Sequence, residues 1–308
     1  MVPAVGQGAI VSTTKILEAK AMKIFNGITR ICVLAAVCMG GSAAAQERDV
    51  ALILGDSVAF SYIASVGYEY FYINPDNFIG FPDLLGNQLN LTVRNGSCPG
   101  ETTGSFMSAT APDNGCRAYR GLFPLHAAYK HTQLEYATDY LKTHREVRLV
   151  TITLGANDGL LLEESCASQP TPAQVTACIE AGAPAVLTAV AENMAKILGA
   201  LRATGYTHAI IVTNYYSLDY TDAGGTALTA DLNAAIATPA SAYGAVVADV
   251  FTAFKNAAAA APFDGKTCNT GLLNPDVDNQ FVCNIHPAQT GHRLIAKTIL
   301  DSLWAAER

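Results

Sequence analysis

Four short runs of β-branched and aliphatic residues, at 50–54, 149–154, 209–213 and 245–250, constrain this chain more than any other feature. Runs of this length without polar alternation predict strands buried on both faces, as in a parallel sheet covered by helices. Between them lie helical patterns at 133–142, 186–203 and 227–237, and a last one follows at 288–304. The last of these carries Leu294, Ile295, Ile299, Leu300 and Leu303 along one stripe. Strands alternating with helices predict an α/β sandwich with helices on both sheet faces. Irregular connections are expected over 61–77, 104–125 and 160–183. No repeat, low-complexity linker or charge block marks an internal boundary, so one domain over 46–308 is the economical reading.

Composition narrows the class. Half of the 308 residues are hydrophobic and 15% are charged, which excludes a largely disordered chain. The formal charge of -7 comes with no basic patch, so no nucleic-acid partner is expected. No purely apolar run of membrane-spanning length occurs outside the N-terminal region, so no integral span is expected in the mature chain. The start of the chain differs. Lys23 and Arg30 precede an apolar run at 31–39, followed by small residues up to Ala45. This is the pattern of a secretory signal cleaved after Ala45, so residues 1–45 read as a signal peptide with an N-terminal extension. The protein is then expected to be secreted or periplasmic. Its loss removes Lys15, Lys20, Lys23 and Arg30 against Glu18 and leaves a more acidic surface, suited to a neutral substrate.

Eight cysteines become six when Cys32 and Cys38 leave with the signal. None of the rest has C-x-x-C spacing, and an exported chain with an even count favours disulfides over metal sites. The sequence-local pairing, Cys98 with Cys116, Cys166 with Cys178 and Cys268 with Cys283, is the expected one.

The chemistry-bearing residues gather where strands end, which is where open parallel sheets place their ligands. The first run ends in Gly55-Asp56-Ser57, a serine on a turn that is equally at home as a helix cap. The second ends in Gly155-Ala156-Asn157-Asp158, where an Asn amide either donates to an oxyanion or forms a turn. Between them stands Asn95-Gly96-Ser97-Cys98-Pro99-Gly100-Glu101-Thr102, which reads as a close-approach loop, a disulfide-pinned turn, or both. Near the C-terminus comes Asn284-Ile285-His286-Pro287. The chain contains neither H-E-x-x-H nor G-x-S-x-G.

These four blocks, in this order from Gly55 to Gly291, resemble those of the SGNH (GDSL-type) hydrolases over nearly the whole mature chain. The resemblance implies a flavodoxin-like fold: a single-domain three-layer α/β/α sandwich with a mostly parallel central sheet. It implies Ser57 as nucleophile and His286 as base. The oxyanion hole would comprise the Ser57 N–H, the Gly100 N–H and the Asn157 side chain, with no metal or organic cofactor. The family usually carries an Asp three residues before its His. That position is Cys283, so the expected orienter of His286 is the Cys283 backbone carbonyl, with Asp276 or Asp278 as the other candidates.

The implied activity is a serine esterase or lipase acting on a small-molecule or lipid carboxylic ester as a monomer. Two alternatives stand beside it: a weak or inactive lipid- or glycan-binding member of the fold, and a carbohydrate O-acetyl esterase. The aromatic stretch from Phe60 to Phe81 either walls an acyl pocket or packs as an inserted loop.

Overall fold

The computed structural model describes residues 48–64, 69–276, 283–306 and 308. The signal segment expected over 1–45 and the cleavage site expected after Ala45 lie outside the described residues, as does Asp278.

Five parallel strands form the central sheet in the order β2-β1-β3-β4-β5. They are β1 (Val50–Gly55), β2 (Thr92–Asn95), β3 (Val147–Thr153), β4 (Ala209–Thr213) and β5 (Val246–Ala248). Strand β1 is buried along its whole length, and it pairs in parallel with β2 on one side and β3 on the other. The chain order reverses between β1 and β3, so a crevice opens outside their carboxyl ends. A second, antiparallel sheet pairs β6 (Leu273–Pro275) with β7 (Cys283–Pro287).

The helices are α1 (Ser57–Phe60), α2 (Phe81–Leu89), α3 (Thr103–Met107), α4 (Cys116–Leu122), α5 (Gln133–Thr143), α6 (Ala156–Cys166), α7 (Pro172–Ala203), α8 (Ala223–Ala237), α9 (Val250–Ala259) and α10 (Gln289–Ala306). Helix α10 packs beside α2 and α9 on one face of the sheet, while α5, α7 and α8 pack together on the other. Leu52, Ile53, Ile152 and Ile211 fill the core between these layers. The α/β/α architecture expected from the alternating runs is the one found.

Several elements differ from the sequence expectation, among them α4, which lies inside the connection expected to be irregular over 104–125. Strand β2 carries Thr92 and Arg94 exposed, because it is an edge strand with no neighbour on its outer side. Its polar alternation hides it among loops. The run at 245–250 is shared between two elements: Asp249 accepts from Thr252 N at 3.0 Å and caps α9, which ends the strand early. The connection expected over 160–183 is mostly helix. Thr171 caps α7, Pro172 occupies its first turn, and the helix runs on through Pro184. A proline inside a helical pattern signals a break, yet here the helix continues around it on an exposed side.

Helix α7 has the length and hydropathy of a membrane span, but its second half buries Val190, Met194, Ile197, Leu198 and Leu201 in the core of the domain. All three sequence-local disulfides are present, Cys98–Cys116, Cys166–Cys178 and Cys268–Cys283.

Candidate active site

The turn after β1 depends on glycine. Gly55 adopts φ +131°, and a Cβ there would lie 1.9 Å from the Thr153 carbonyl oxygen. Asp56, not Ser57, then caps α1, its carboxylate accepting from Val58 N at 2.9 Å. Ser57 is therefore the first helical residue, and its hydroxyl is not used as a cap. The second Asp56 oxygen accepts from the Tyr215 hydroxyl. Burial pushes the Asp56 carboxyl up to about 7, against the pull of that hydrogen bond.

His286 reaches the same place from β7. Its Nε2 stands 3.0 Å from Ser57 Oγ. Its Nδ1 lies 2.5 Å from Asn284 Oδ1, which also accepts from the His286 backbone N–H at 3.0 Å. The backbone bond settles which end of the amide faces the ring, and a carbonyl oxygen can only accept. Nδ1 therefore carries the proton, and the Nε2 lone pair points at the serine. Burial pushes the imidazole down to about 4, so it is neutral near pH 7. The Tyr62 ring packs edge-on against it, with centroids 5.1 Å apart.

The orienting contact expected from the Cys283 carbonyl is thus made by the Asn284 side chain. The strand period explains the difference: residues 284 and 286 project from one face of β7, while Cys283 lies in register with Pro275 and is bonded to Cys268. Asp276 follows β6. The Tyr216 hydroxyl donates to the Ile285 carbonyl at 2.5 Å and ties β7 to the loop after β4.

The 95–102 block lies at the carboxyl end of β1, where Gly96 N donates to Ile53 O at 2.8 Å and Cys98 N to Gly55 O at 3.0 Å. Asn95 Nδ2 donates to Ala59 O at 2.9 Å and holds the block to α1. Gly100 adopts φ +83°, and a Cβ there would lie 2.1 Å from Asn114 O. Among the described residues, neither the Ser57 N–H nor the buried Gly100 N–H donates to a protein acceptor. Buried N–H groups are nearly always paired, so such donors are what a site for a developing oxyanion requires. Asn157, in the first turn of α6, donates one amide hydrogen to Glu101 O at 3.0 Å and accepts from Asn114 Nδ2 at 2.9 Å. Its second amide hydrogen remains, and its side chain lines the same cavity as Ser57 and His286. Asp158 accepts from Thr103 N at 2.9 Å and from Thr103 Oγ1 at 2.6 Å, which fixes α6 to α3.

Three supporting residues gave no sequence signal. Gln133 accepts from Gly55 N at 2.6 Å and donates to Gly55 O and to Glu101 Oε2, both at 3.0 Å. Buried Glu101 accepts from Ser105 Oγ at 2.5 Å, and burial raises its carboxyl. Tyr215 is the third. Asn284 was visible in the Asn-Ile-His-Pro block, and its spacing of two from His286 on a strand was the available clue. Cys98, Glu101 and Cys116 approach one another like metal ligands, but the two sulfurs are bonded to each other, so no thiolate is there to bind.

Among the described residues, the aromatic stretch after Ser57 does not wall the cavity. Phe60, Phe78, Tyr119 and Leu125 pack with the Cys98–Cys116 bridge into a second hydrophobic cluster, joined at its edge by Tyr62, Phe71 and Tyr72. The cavity beside Ser57 has a volume of about 400 Å³ and opens the other way, among α6, α7 and α8.

The profile of the family described as GDSL-like Lipase/Acylhydrolase matches residues 53–294. No curated protein matches the chain in sequence. Among solved structures, an alpha/beta hydrolase enzyme from the metagenome of Lake Arreo, Spain, is 14% identical with a TM-score of 0.51, covering 84% of this chain and 96% of that one. A lipase from a goat rumen metagenome is 14% identical with a TM-score of 0.52, covering 82% of this chain and 97% of that one. These likenesses concern the fold.

Proposed function

The chain belongs to the GDSL-like lipase/acylhydrolase family, a family of hydrolases acting on ester bonds, and from that premise we propose that it is an exported serine esterase working through an acyl-enzyme on Ser57. The observation that carries this reading is the contact of Ser57 Oγ with His286 Nε2 at 3.0 Å, in the tautomer that Asn284 imposes. His286 takes the hydroxyl proton as Oγ attacks the carbonyl carbon of the ester. The electron pair of the C=O moves onto oxygen, where the Ser57 and Gly100 N–H groups and the second Asn157 amide hydrogen receive it. Collapse of this intermediate breaks the bond to the alcohol, which leaves with the proton from Nε2. Water, deprotonated by the same imidazole, then releases the acid and restores Ser57.

Asp276, Asp278 and the Cys283 carbonyl have no necessary part, since Asn284 already holds the tautomer. The signal pattern over 1–45 and the three disulfides support work outside the reducing cytoplasm.

A fluorophosphonate probe and a p-nitrophenyl ester test the reading together. Wild-type protein is expected to take one probe adduct on Ser57 and to turn over the ester. Ser57→Ala and His286→Ala each lose about 10⁴-fold or more in kcat, and the double variant is little worse than either, because the two side chains act as one unit. A chain that neither labels nor turns over is a binding protein on this fold. Near-full activity in Ser57→Ala ends the acyl-enzyme reading.

A further inference from the structure

The cavity beside Ser57 is mainly apolar away from the catalytic residues. Past Asn157 its walls are aliphatic: Leu160 from α6, Ile179 and Leu187 from α7, and Leu228 and Leu232 from α8. Among the described residues no Lys or Arg lines it, and Glu163, Asp219 and Asp222 are the carboxylates on its outer parts. The wall is braced. Gly182 of α7 lies so close to Leu162 of α6 that a Cβ would come within 2.4 Å of that side chain, and the Cys166–Cys178 bridge closes the turn between the two helices. Direction follows from the chemistry. The leaving oxygen must lie beside His286 Nε2 to take its proton, and the far flank of that ring is covered by Tyr62. The acyl group therefore extends from the serine past Asn157, along α6. From Asn157 to Glu163 is six residues of helix, about 9 Å of rise and the length of an extended chain of about eight carbons.

We propose that this cavity is an acyl subsite and that the substrates are esters of uncharged, unbranched acids of about six to ten carbons. The proposal rests on the serine-esterase reading above. A longer chain would meet Glu163, and an acid-terminated chain would meet three carboxylates of its own sign.

The test is a pair of ester series on the mature protein: p-nitrophenyl esters with the acyl chain varied from two to sixteen carbons, and alkyl acetates with the alcohol varied. In wild type, kcat/KM is expected to rise about fourfold per methylene, the factor for burying a CH₂, to a maximum near C8 and to fall beyond C10. The alkyl acetate series should be nearly flat. Leu187→Trp, which fills the cavity from a half-buried site, should move the acyl optimum to C4 or shorter and cut the octanoate-to-butyrate ratio by about 250-fold or more, the burial of four methylenes being lost. Ile179→Phe, a smaller insertion, serves if the tryptophan variant melts early.

An acyl series that stays flat in wild type overturns the proposal. So does an optimum that Leu187→Trp and Ile179→Phe leave at C8, or a wild-type slope that appears in the alcohol series instead. Probe labelling of Ser57 and turnover of p-nitrophenyl acetate by wild type read the esterase itself, so loss of those two signals marks failure of the underlying reading rather than of the subsite.

Discussion

A carboxylate beside a catalytic imidazole does two things: it selects the tautomer, and it stabilises the imidazolium that forms during reaction. Asn284 does the first through its carbonyl oxygen and, being neutral, leaves the second undone. Burial therefore acts on His286 without an opposing charge and pushes it down to about 4. The base must be neutral to accept the serine proton, so activity is lost only as pH falls through that value. A plot of kcat/KM is expected to stay level from pH 8 to about 5 and to drop near 4. Asn284→Asp sets a negative charge against Nδ1 and should raise the imidazole by about one to three units, carrying the acid limb up with it. An acid limb that does not move in this variant would show that residue 284 is not the partner of Nδ1. Ser57, Gly100, Asn157 and His286 are legible in sequence because each sits in a short block at a strand end. Asn284 is not, because a strand-face relation between residues two apart becomes visible only once 283–287 is known to be a strand.

At the scale of elements, α7 shows how a local signal misleads. Pro184 lacks the N–H that would bond to Glu180, and in isolation it reads as a break. The helix persists because Pro184 is exposed, where the freed carbonyl is available to water, and because packed anchors lie on either side of it in the chain: the Cys166–Cys178 bridge and the contact of Gly182 with Leu162 before it, buried Val190 and Met194 after it. Pro184→Ala should therefore restore the bond and stabilise the protein by about 1–3 kcal/mol, below or at the intrinsic Pro-to-Ala difference of roughly 3 kcal/mol. Urea unfolding reads this as a higher midpoint at unchanged slope. A lower midpoint would mean that α7 needs its proline, for a bend that fits it to α6 and α8. Strand β2 escapes detection for the complementary reason: an edge strand exposes one face, so the apolar run that marks β1 and β3 is missing.

For the molecule as a whole, buried titratable groups set how stability depends on pH. His292 on α10 is 1% exposed, and among the described residues neither of its ring nitrogens has a hydrogen-bond partner. Burial, with the nearby His286 as a lesser cause, pushes it down to about 3. The native state thus holds it neutral, while the unfolded chain takes up a proton below about 6.5. Its contribution is complete above pH 6.5 and is lost as pH falls from there toward 3. Asp56, raised to about 7, has the opposite sign: its contribution is complete below about 4, where both states are protonated, and is lost as pH rises from there to 7, because the unfolded carboxyl ionises while the native one stays protonated. His292→Leu removes the first effect alone. Its Tm should exceed that of wild type by more at pH 4 than at pH 7, and an equal difference at both pH values would exclude His292 as a source of acid sensitivity.

The sequence by itself determined the class of fold, because strands buried on both faces must be apolar throughout and each helix must show its stripe. It also determined the residues at the strand ends, because a sharp turn, a nucleophile and a close backbone approach admit few residue types. Only the tertiary structure decided which groups orient them. Asn284, Gln133, Glu101 and Tyr215 act through contacts with partners that can be dozens of residues away, and a buried hydrogen bond leaves no periodicity in the chain. The same holds for the direction of the cavity. Aliphatic side chains on α6, α7 and α8 look like ordinary core residues one helix at a time, and they become a wall only where the three helices leave space between them.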